Sequence, residues 1–306
     1  MASSLAFGAA AAFAAALMGA GWQLVSRHGV TTTLGPLDMA VLRYGVPALV
    51  LLPLWWRALP AARQAGFPLV ALTVLTGGLP FGLLVLAGAQ WAPAAHIAVF
   101  VSGTIPVLAA LLAWAGWRER IDAWRAGGFV LVLAGAALLA LRGQAAGEGS
   151  WRGDLLFLVA ALCWAVHTHA YRRTGLTPWQ GAAVINGGSA LLLLLVLSFS
   201  GPLKLWTAPW QDVALQAVWQ AVIAGLLGIV TYMAAVRHLG AARAALSAAL
   251  VPPLTAVGEV LFLGAPVQPA VMLSAGLVAL GVLLAGGLFA SAGGLRTEPA
   301  RGRGSA

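Results

Sequence analysis

The sequence predicts an all-α integral membrane protein, with ten transmembrane helices arranged as two inverted five-helix repeats. Three observations carry that expectation. Hydrophobic residues make up 61% of the 306 residues and charged residues only 8%, whereas soluble domains carry about 25% charged residues. Apolar stretches of about 20 residues, each long enough to cross a bilayer, recur along the whole chain. Segments of the first half also reappear in the second half at a nearly constant offset.

Composition narrows the classes further. Mean hydropathy is +0.93 and the pI lies near 11.4. Such a pI would suit nucleic acid, but the basic residues are scattered in ones and twos between apolar segments. They read as topology signals; no nucleic-acid partner is expected, and the lipid bilayer is. Cys163 is the single cysteine, so no intrachain disulfide forms.

The spans follow in order. The first, 5–26, has the hydrophobicity of a signal peptide, but MASS ahead of it carries no Lys or Arg. Its apolar character also runs on to Val25. The turn TTTLGP leads to a second span at 37–57, and a third follows at 68–91. WAPAA introduces the fourth, 95–117, and the fifth covers 123–142. The longest polar gap, RGQAAGEGSWRGD (142–154), comes next and reads as the join between two halves. The sixth span is 154–173, and GLTP separates it from the seventh, 179–200. The eighth and ninth, 213–238 and 244–264, precede GAPVQP and the tenth, 268–290. Pro and Gly punctuate these connections, and no extramembrane domain fits between them. The units are a first repeat, 1–147, a second, 148–292, and a polar tail, 293–306.

Charge sets the orientation. With a cytoplasmic N-terminus, twelve arginines fall on the inner side and only Arg27, Arg142, Arg152 and Lys204 on the outer. This positive-inside bias places both termini in the cytoplasm, in an inner (plasma) membrane. Tryptophans such as Trp56, Trp91, Trp117, Trp151 and Trp210 sit at span ends, as interfacial belts do. Trp22, Trp114, Trp164 and Trp219 lie deeper.

The repeat is read directly. TIPVLAALLAWAGWRERI (104–121) aligns without gaps with LVPPLTAVGEVLFLGAPV (250–267) at an offset of 146. The offset superposes Pro106 on Pro252 and Gly135 on Gly281, and reaches back to pair Gly82 with Gly228. An offset of 145 aligns ALMGAGWQ (16–23) with ALCWAVHT (161–168). Five spans per half is an odd number, so the second half enters the membrane from the opposite side. Inverted repeats of this kind are a recurring construction of secondary transporters and argue for alternating access.

Longer motifs run in order across nearly the whole chain. They are LDMAVLRYGVPALVLLPLW, AVFVSGTIPVLAALLAWAGWRERI, GDLLFLVAALCWAVHTHAYRR and GLLGIVTYMAAVRHLGAARAALSAALVPPLTAVGEVLFLGAPV. In that order and spacing the chain resembles the drug/metabolite transporter superfamily, in its EamA-type branch of ten-helix carriers. The resemblance implies two EamA repeats and a central cavity lined mainly by helices one, three, four, six, eight and nine. It also implies export or exchange of small metabolites such as amino acids. One departure stands out. The family's second half usually ends its ninth helix in Gly-Glu, where this chain has Gly264-Ala265; the first half keeps Glu119.

Glu259, six residues earlier, has Ala113 as its repeat partner and must be argued on its own chemistry. It alone of eight acids lies well inside a span, ~7 Å outward of the midplane at 1.5 Å per residue. An acid at helix centre costs ~2.5–3.5 kcal/mol to insert, and such residues face protein or water. Two readings follow. Glu259 faces a cavity, where it meets substrate or carries a proton, or it is the structural partner of Arg43 in the second span.

On the sixth span, Trp164, His167 and Tyr171 share one stripe, while His169 points elsewhere. At the 145 offset Trp22 partners His167, and Gln23 partners Thr168. The expected substrate-binding set is therefore Trp22, Gln23, Trp164, His167, Tyr232 and Glu259. Tyr232, and Asn186 outside the set, are the weaker candidates, since a buried Tyr or Asn most often ties helices together. Gly78 and Gly82 form a small-xxx-small pair for close approach. Pro106, Pro252 and Pro253 free backbone carbonyls. Asp154 is expected to cap the sixth helix, and His96 to be solvated.

A membrane enzyme and a channel are the rival classes. HExxH, GxSxG and GxxxxGK(S/T) are absent. The histidines are not spaced as a metal cluster, and there is no filter-like loop or ring of charge. No catalytic residue, metal or cofactor is expected. The expected partners are a small-molecule substrate and a coupling proton.

Overall fold

The computed structural model describes residues 2–145, 149–239 and 246–286. Among them every regular element is a helix. The first half runs α1 (Ala2–Thr31), α2 (Pro36–Val50), α3 (Leu52–Ala65), α4 (Phe67–Gly77), α5 (Leu79–Gly88), α6 (Ala94–Trp117) and α7 (Ala123–Ala145). The second runs α8 (Trp151–Thr174), α9 (Pro178–Leu197), α10 (210–239), α11 (Leu246–Leu263) and α12 (Pro269–Ala285). The join at 146–148, the segment 240–245, the end of the tenth span and the polar tail lie outside the described residues.

Six of these spans are long and apolar enough to cross a membrane: α1, α4 with α5, α6, α7, α8 and α9. The bent pair α2–α3 makes a seventh if it is one span, and α11 and α12 are shorter apolar helices. The chain is a multi-pass helical membrane protein. Two expected spans are not straight. α2 and α3 meet at 81°, because Leu51 leaves helical geometry (φ −88°, ψ 4°) and Pro53 has no N–H for the preceding turn. The third span breaks at Gly78, whose φ of −102° and ψ of −135° lie far from helix values.

That break frees backbone groups, and side chains of other helices meet two of them. The Tyr44 hydroxyl donates to the Gly78 carbonyl at 2.8 Å, and the Leu79 N–H donates to Ser189 Oγ at 3.0 Å. The Tyr44 ring lies where a side chain on Gly82 would be. The small residues at 78 and 82 thus admit side chains of α9 and α2.

The packing pattern repeats when the halves are exchanged. α1 packs against α10 and α11, and α8 packs against α4–α5 and α6. α9 runs along α2 and α3, and α7 runs along α12. The α7–α12 crossing is close: a Cβ on Gly128 would lie 2.5 Å from the Gly281 carbonyl, and one on Gly281 2.6 Å from that of Gly128. Seven residues along, the Ser274 hydroxyl donates to the Gly135 carbonyl at 2.8 Å. An offset of 146 carries Gly128 onto Ser274 and Gly135 onto Gly281, so the crossing maps onto itself.

The ends of α6 and α11 repeat as well. Arg118 (φ 55°) and Gly264 (φ 66°), 146 positions apart, both turn into the left-handed region. The Glu119 N–H reaches back to the Ala113 carbonyl at 3.5 Å, and the Ala265 N–H to the Glu259 carbonyl at 3.2 Å. This closure satisfies carbonyls that a helix end would otherwise leave orphaned.

Candidate functional site

Among the described residues three helices carry π-helical stretches: Val41–Gly45 in α2, Ala98–Gly103 in α6 and Ala217–Leu227 in α10. A π stretch widens the turn and loosens the hydrogen-bond ladder, and such segments cluster at functional sites. Each holds a polar residue, respectively Arg43, Ser102 and Gln220, and α1 joins them. Trp22 Nε1 donates to Gln220 Oε1 at 2.8 Å, and Gln220 Nε2 donates to Ser26 Oγ at 2.9 Å. Gln23 Nε2 donates to Ser102 Oγ at 2.9 Å, while Gln23 Oε1 accepts from the Thr255 hydroxyl at 2.9 Å. Gln216, one turn before Gln220, donates to the Val25 carbonyl at 2.8 Å. Of this cluster, sequence reasoning named Trp22 and Gln23 and passed over Ser102, Gln216, Gln220 and Thr255. The available signal was a pair of amides four residues apart in an apolar run.

Arg43 lies over the Trp22 ring, its Cζ 4.7 Å from the ring centroid and 5.6 Å from that of Tyr44. Its Nε and Nη1 are buried without hydrogen-bond partners.

On the other half, Trp164 lies between Phe81 (centroids 4.6 Å apart) and His167 (5.1 Å), and Tyr171 stacks on His167 at 5.8 Å. The expected stripe on α8 is therefore one aromatic column. His167 Nδ1 is 3.0 Å from the Thr73 carbonyl, so in neutral His167 that nitrogen carries the proton. The imidazole fills the space left by Gly77. His169 points away, its Nε2 2.9 Å from the Ala109 carbonyl. Asn186 bonds back to the Ala182 carbonyl at 2.8 Å, within its own helix. Tyr232 belongs to α10, with its side chain outside what is described. Of the deep tryptophans, Trp114 is exposed on the outside of the bundle, and Trp219 lies on Gly21 of α1.

Glu259 is elsewhere. Its Oε1 accepts the Ala94 N–H at 2.7 Å and its Oε2 the Ala95 N–H at 3.3 Å. These are orphan amides at the positive end of α6, where Pro93 supplies no side-chain cap. The acid of α11 therefore caps a different helix. This corrects the pairing of Glu259 with Arg43, which stacks on Trp22 instead. Glu259 also lines a cavity of about 640 Å³, whose wall includes Arg27, His28, His96 and Gln268. The Arg27 guanidinium is held by the Ala89 carbonyl.

Two further expectations fail at this end. His96 is buried rather than solvated, its Nδ1 2.6 Å from Asp154 Oδ1. Asp154 does not cap α8: the helix already begins at Trp151, Asp154 Oδ1 meets the His96 imidazole, and Oδ2 has no hydrogen-bond partner. Among the described residues no group of His, Cys, Asp and Glu is arranged to hold a metal.

Fold and site together define a polytopic helical membrane protein whose two like halves meet at a polar and aromatic centre. The family model described as the EamA-like transporter family matches residues 6–141 and again 151–287. The chain belongs to the EamA-like transporter family, within the drug/metabolite transporter superfamily, whose members are transporters rather than enzymes. A chain of known crystal structure, 20% identical, superposes with a TM-score of 0.58 over 93% of this chain and 96% of its own. That likeness concerns the fold alone. No curated protein matches the chain.

Proposed function

We propose that this protein exports or exchanges a small metabolite, an amino acid or related compound, by alternating access of two inverted five-helix repeats. The observation that carries the reading is the polar and aromatic centre at the π-helical stretches. Loosened backbone and ordered polar side chains inside an apolar bundle suit a substrate path. The exchange of helix pairings between halves supports two units that can swap conformations. Substrate lies between Trp22 and Gln23 of α1 and Trp164 and His167 of α8, with Tyr232 on α10.

Glu259 is the proposed proton carrier. The charged and titratable groups around its cavity are Arg27, His28 and His96, the last engaged with Asp154. Protonation removes the charge that ties α11 to the positive end of α6 and weakens that contact. The basic-residue count puts this cavity on the outer side, with both termini in the cytoplasm.

Purified protein in vesicles tests the reading. Saturable uptake and counterflow are expected, with a response to a pH gradient that Glu259→Gln removes while exchange persists. Uptake linear in concentration would point to a channel, and chemical conversion of the solute to an enzyme. A reporter fused after Ser150 should read as external; a cytoplasmic signal there would end the inverted arrangement.

A further inference from the structure

The guanidinium of Arg43 sits in the interior of the bundle without a counter-ion. Among the described residues the ion pairs are His96–Asp154 and Arg125–Asp122, and Arg43 belongs to neither. The carboxylates that reach the interior are already engaged. Glu259 is on the Ala94 and Ala95 amides, and Asp38 accepts from the Gly35 and Leu205 amides at 2.7 and 2.9 Å. The nearby amide side chains are likewise spent: Gln220 holds Trp22 and Ser26, and Gln23 holds Ser102 and Thr255. What Arg43 does have is the face of Trp22 and the neighbouring Tyr44, whose hydroxyl interacts with the guanidinium. A ring face favours the cation but takes none of its N–H donors, and Nε and Nη1 remain buried and unused. An unpaired charge removed from water is destabilising on its own account. A group that is costly in the empty protein, on a helix loosened at that turn, fits a place where a ligand brings the missing charge.

We propose that Arg43, stacked on Trp22, is the anchor for the carboxylate of a small organic anion. The inference rests on the carrier reading of this centre and names the chemical class of its substrate. One positive charge with aromatic and amide neighbours matches a single carboxylate better than a phosphate dianion, for which Lys or further Arg would be needed. Trp22 is held in orientation by Gln220, so the guanidinium is positioned before the ligand arrives, and less ordering accompanies binding.

The test uses the full-length protein purified in detergent, with thermal unfolding as readout. The probes are free amino acids and simple monocarboxylates, each paired with its amide, together with inorganic phosphate and a phosphate monoester. At least one carboxylate should raise the melting temperature by a few degrees, and its amide should not. Arg43→Gln should abolish that response and, by removing an unpaired buried charge, raise the melting temperature of the ligand-free protein. Arg43→Lys keeps the charge without the planar stack and should retain a weaker response. Four results would overturn the inference: no carboxylate response, an equal response to the amide, a response to phosphate alone, or a lower ligand-free melting temperature in Arg43→Gln. Carboxylate binding without saturable transport would keep this inference and sink the carrier. Saturable transport of an uncharged solute, unchanged in Arg43→Gln, would do the reverse.

Discussion

The two repeats share a scaffold but not their chemistry. Ala113 and Glu259 occupy the same place in the closures that end α6 and α11, with matching hydrogen bonds to Glu119 and Ala265. Yet only Glu259 reaches across to another helix, where it holds the start of α6. Trp22 and His167 are likewise repeat partners. Trp22 bonds to Gln220 of α10, and His167 bonds to Thr73 of α4. The equivalent helix pairs are joined, one by an indole–amide bond and one by imidazole to backbone. Backbone geometry is thus held common to both halves while side chains differ. Under the proposed alternating access, the common backbone is what lets the halves exchange states, and the unlike side chains are what distinguish them.

The largest expected effect comes from breaking what the repeats share. Gly281→Leu or Gly128→Leu places side-chain atoms against backbone across the α7–α12 crossing, where a Cβ alone would be 2.6 or 2.5 Å from a carbonyl. Nothing at that contact can rotate away. Little folded protein should survive, read as loss of the monodisperse peak after solubilisation; a normal yield from both variants would mean the helices are not so closely packed.

Next comes the capping acid. Glu259→Ala leaves two buried amides at the start of α6 without acceptors, at about 1–3 kcal/mol each. The melting temperature should fall, and Glu259→Gln, which keeps one acceptor oxygen, should fall less. Equal stability of Ala and Gln variants would remove the cap.

The two aromatic centres separate in transport. Trp22→Ala and Trp164→Ala should each weaken apparent affinity about tenfold, corresponding to about 1.4 kcal/mol, when uptake is normalised to folded protein. Unchanged affinity in both would move substrate away from α1 and α8.

The smallest effect is a gain. Arg118 holds a left-handed conformation that disfavours a side chain by about 1–2 kcal/mol, whereas Gly264 does so freely. Arg118→Gly should therefore stabilise modestly, by about 0.5–1 kcal/mol after the greater freedom glycine gains on unfolding. A loss of stability would show that the Arg118 side chain contributes contacts of its own.

Much of this was readable without coordinates. The offset of 146 came from matched runs of Pro, Gly and apolar residues, and the closures at 118 and 264 and the contacts of Gly128 with Gly281 and Gly135 with Ser274 follow the same offset. The stripe Trp164–His167–Tyr171 followed from helical spacing alone. The kink after Leu51 and the break at Gly78 were not read, although Pro53 and Pro80 stood beside them. Hydropathy averages over a window and does not register a single lost N–H.

What the sequence determined by itself was membrane class, helix order and repeat, because these depend on periodicity and on the number of apolar residues in a row. Tertiary structure decided the partners of the charged groups. Glu259 and Arg43 sit at comparable depths by counting residues, and their opposite charges suggested a pair. Rotation about each helix axis and the crossing of its neighbours brought Glu259 to the amides of α6 and Arg43 to the face of Trp22. Distance along a helix is set locally at 1.5 Å per residue, but which groups meet across helices depends on how every other helix packs.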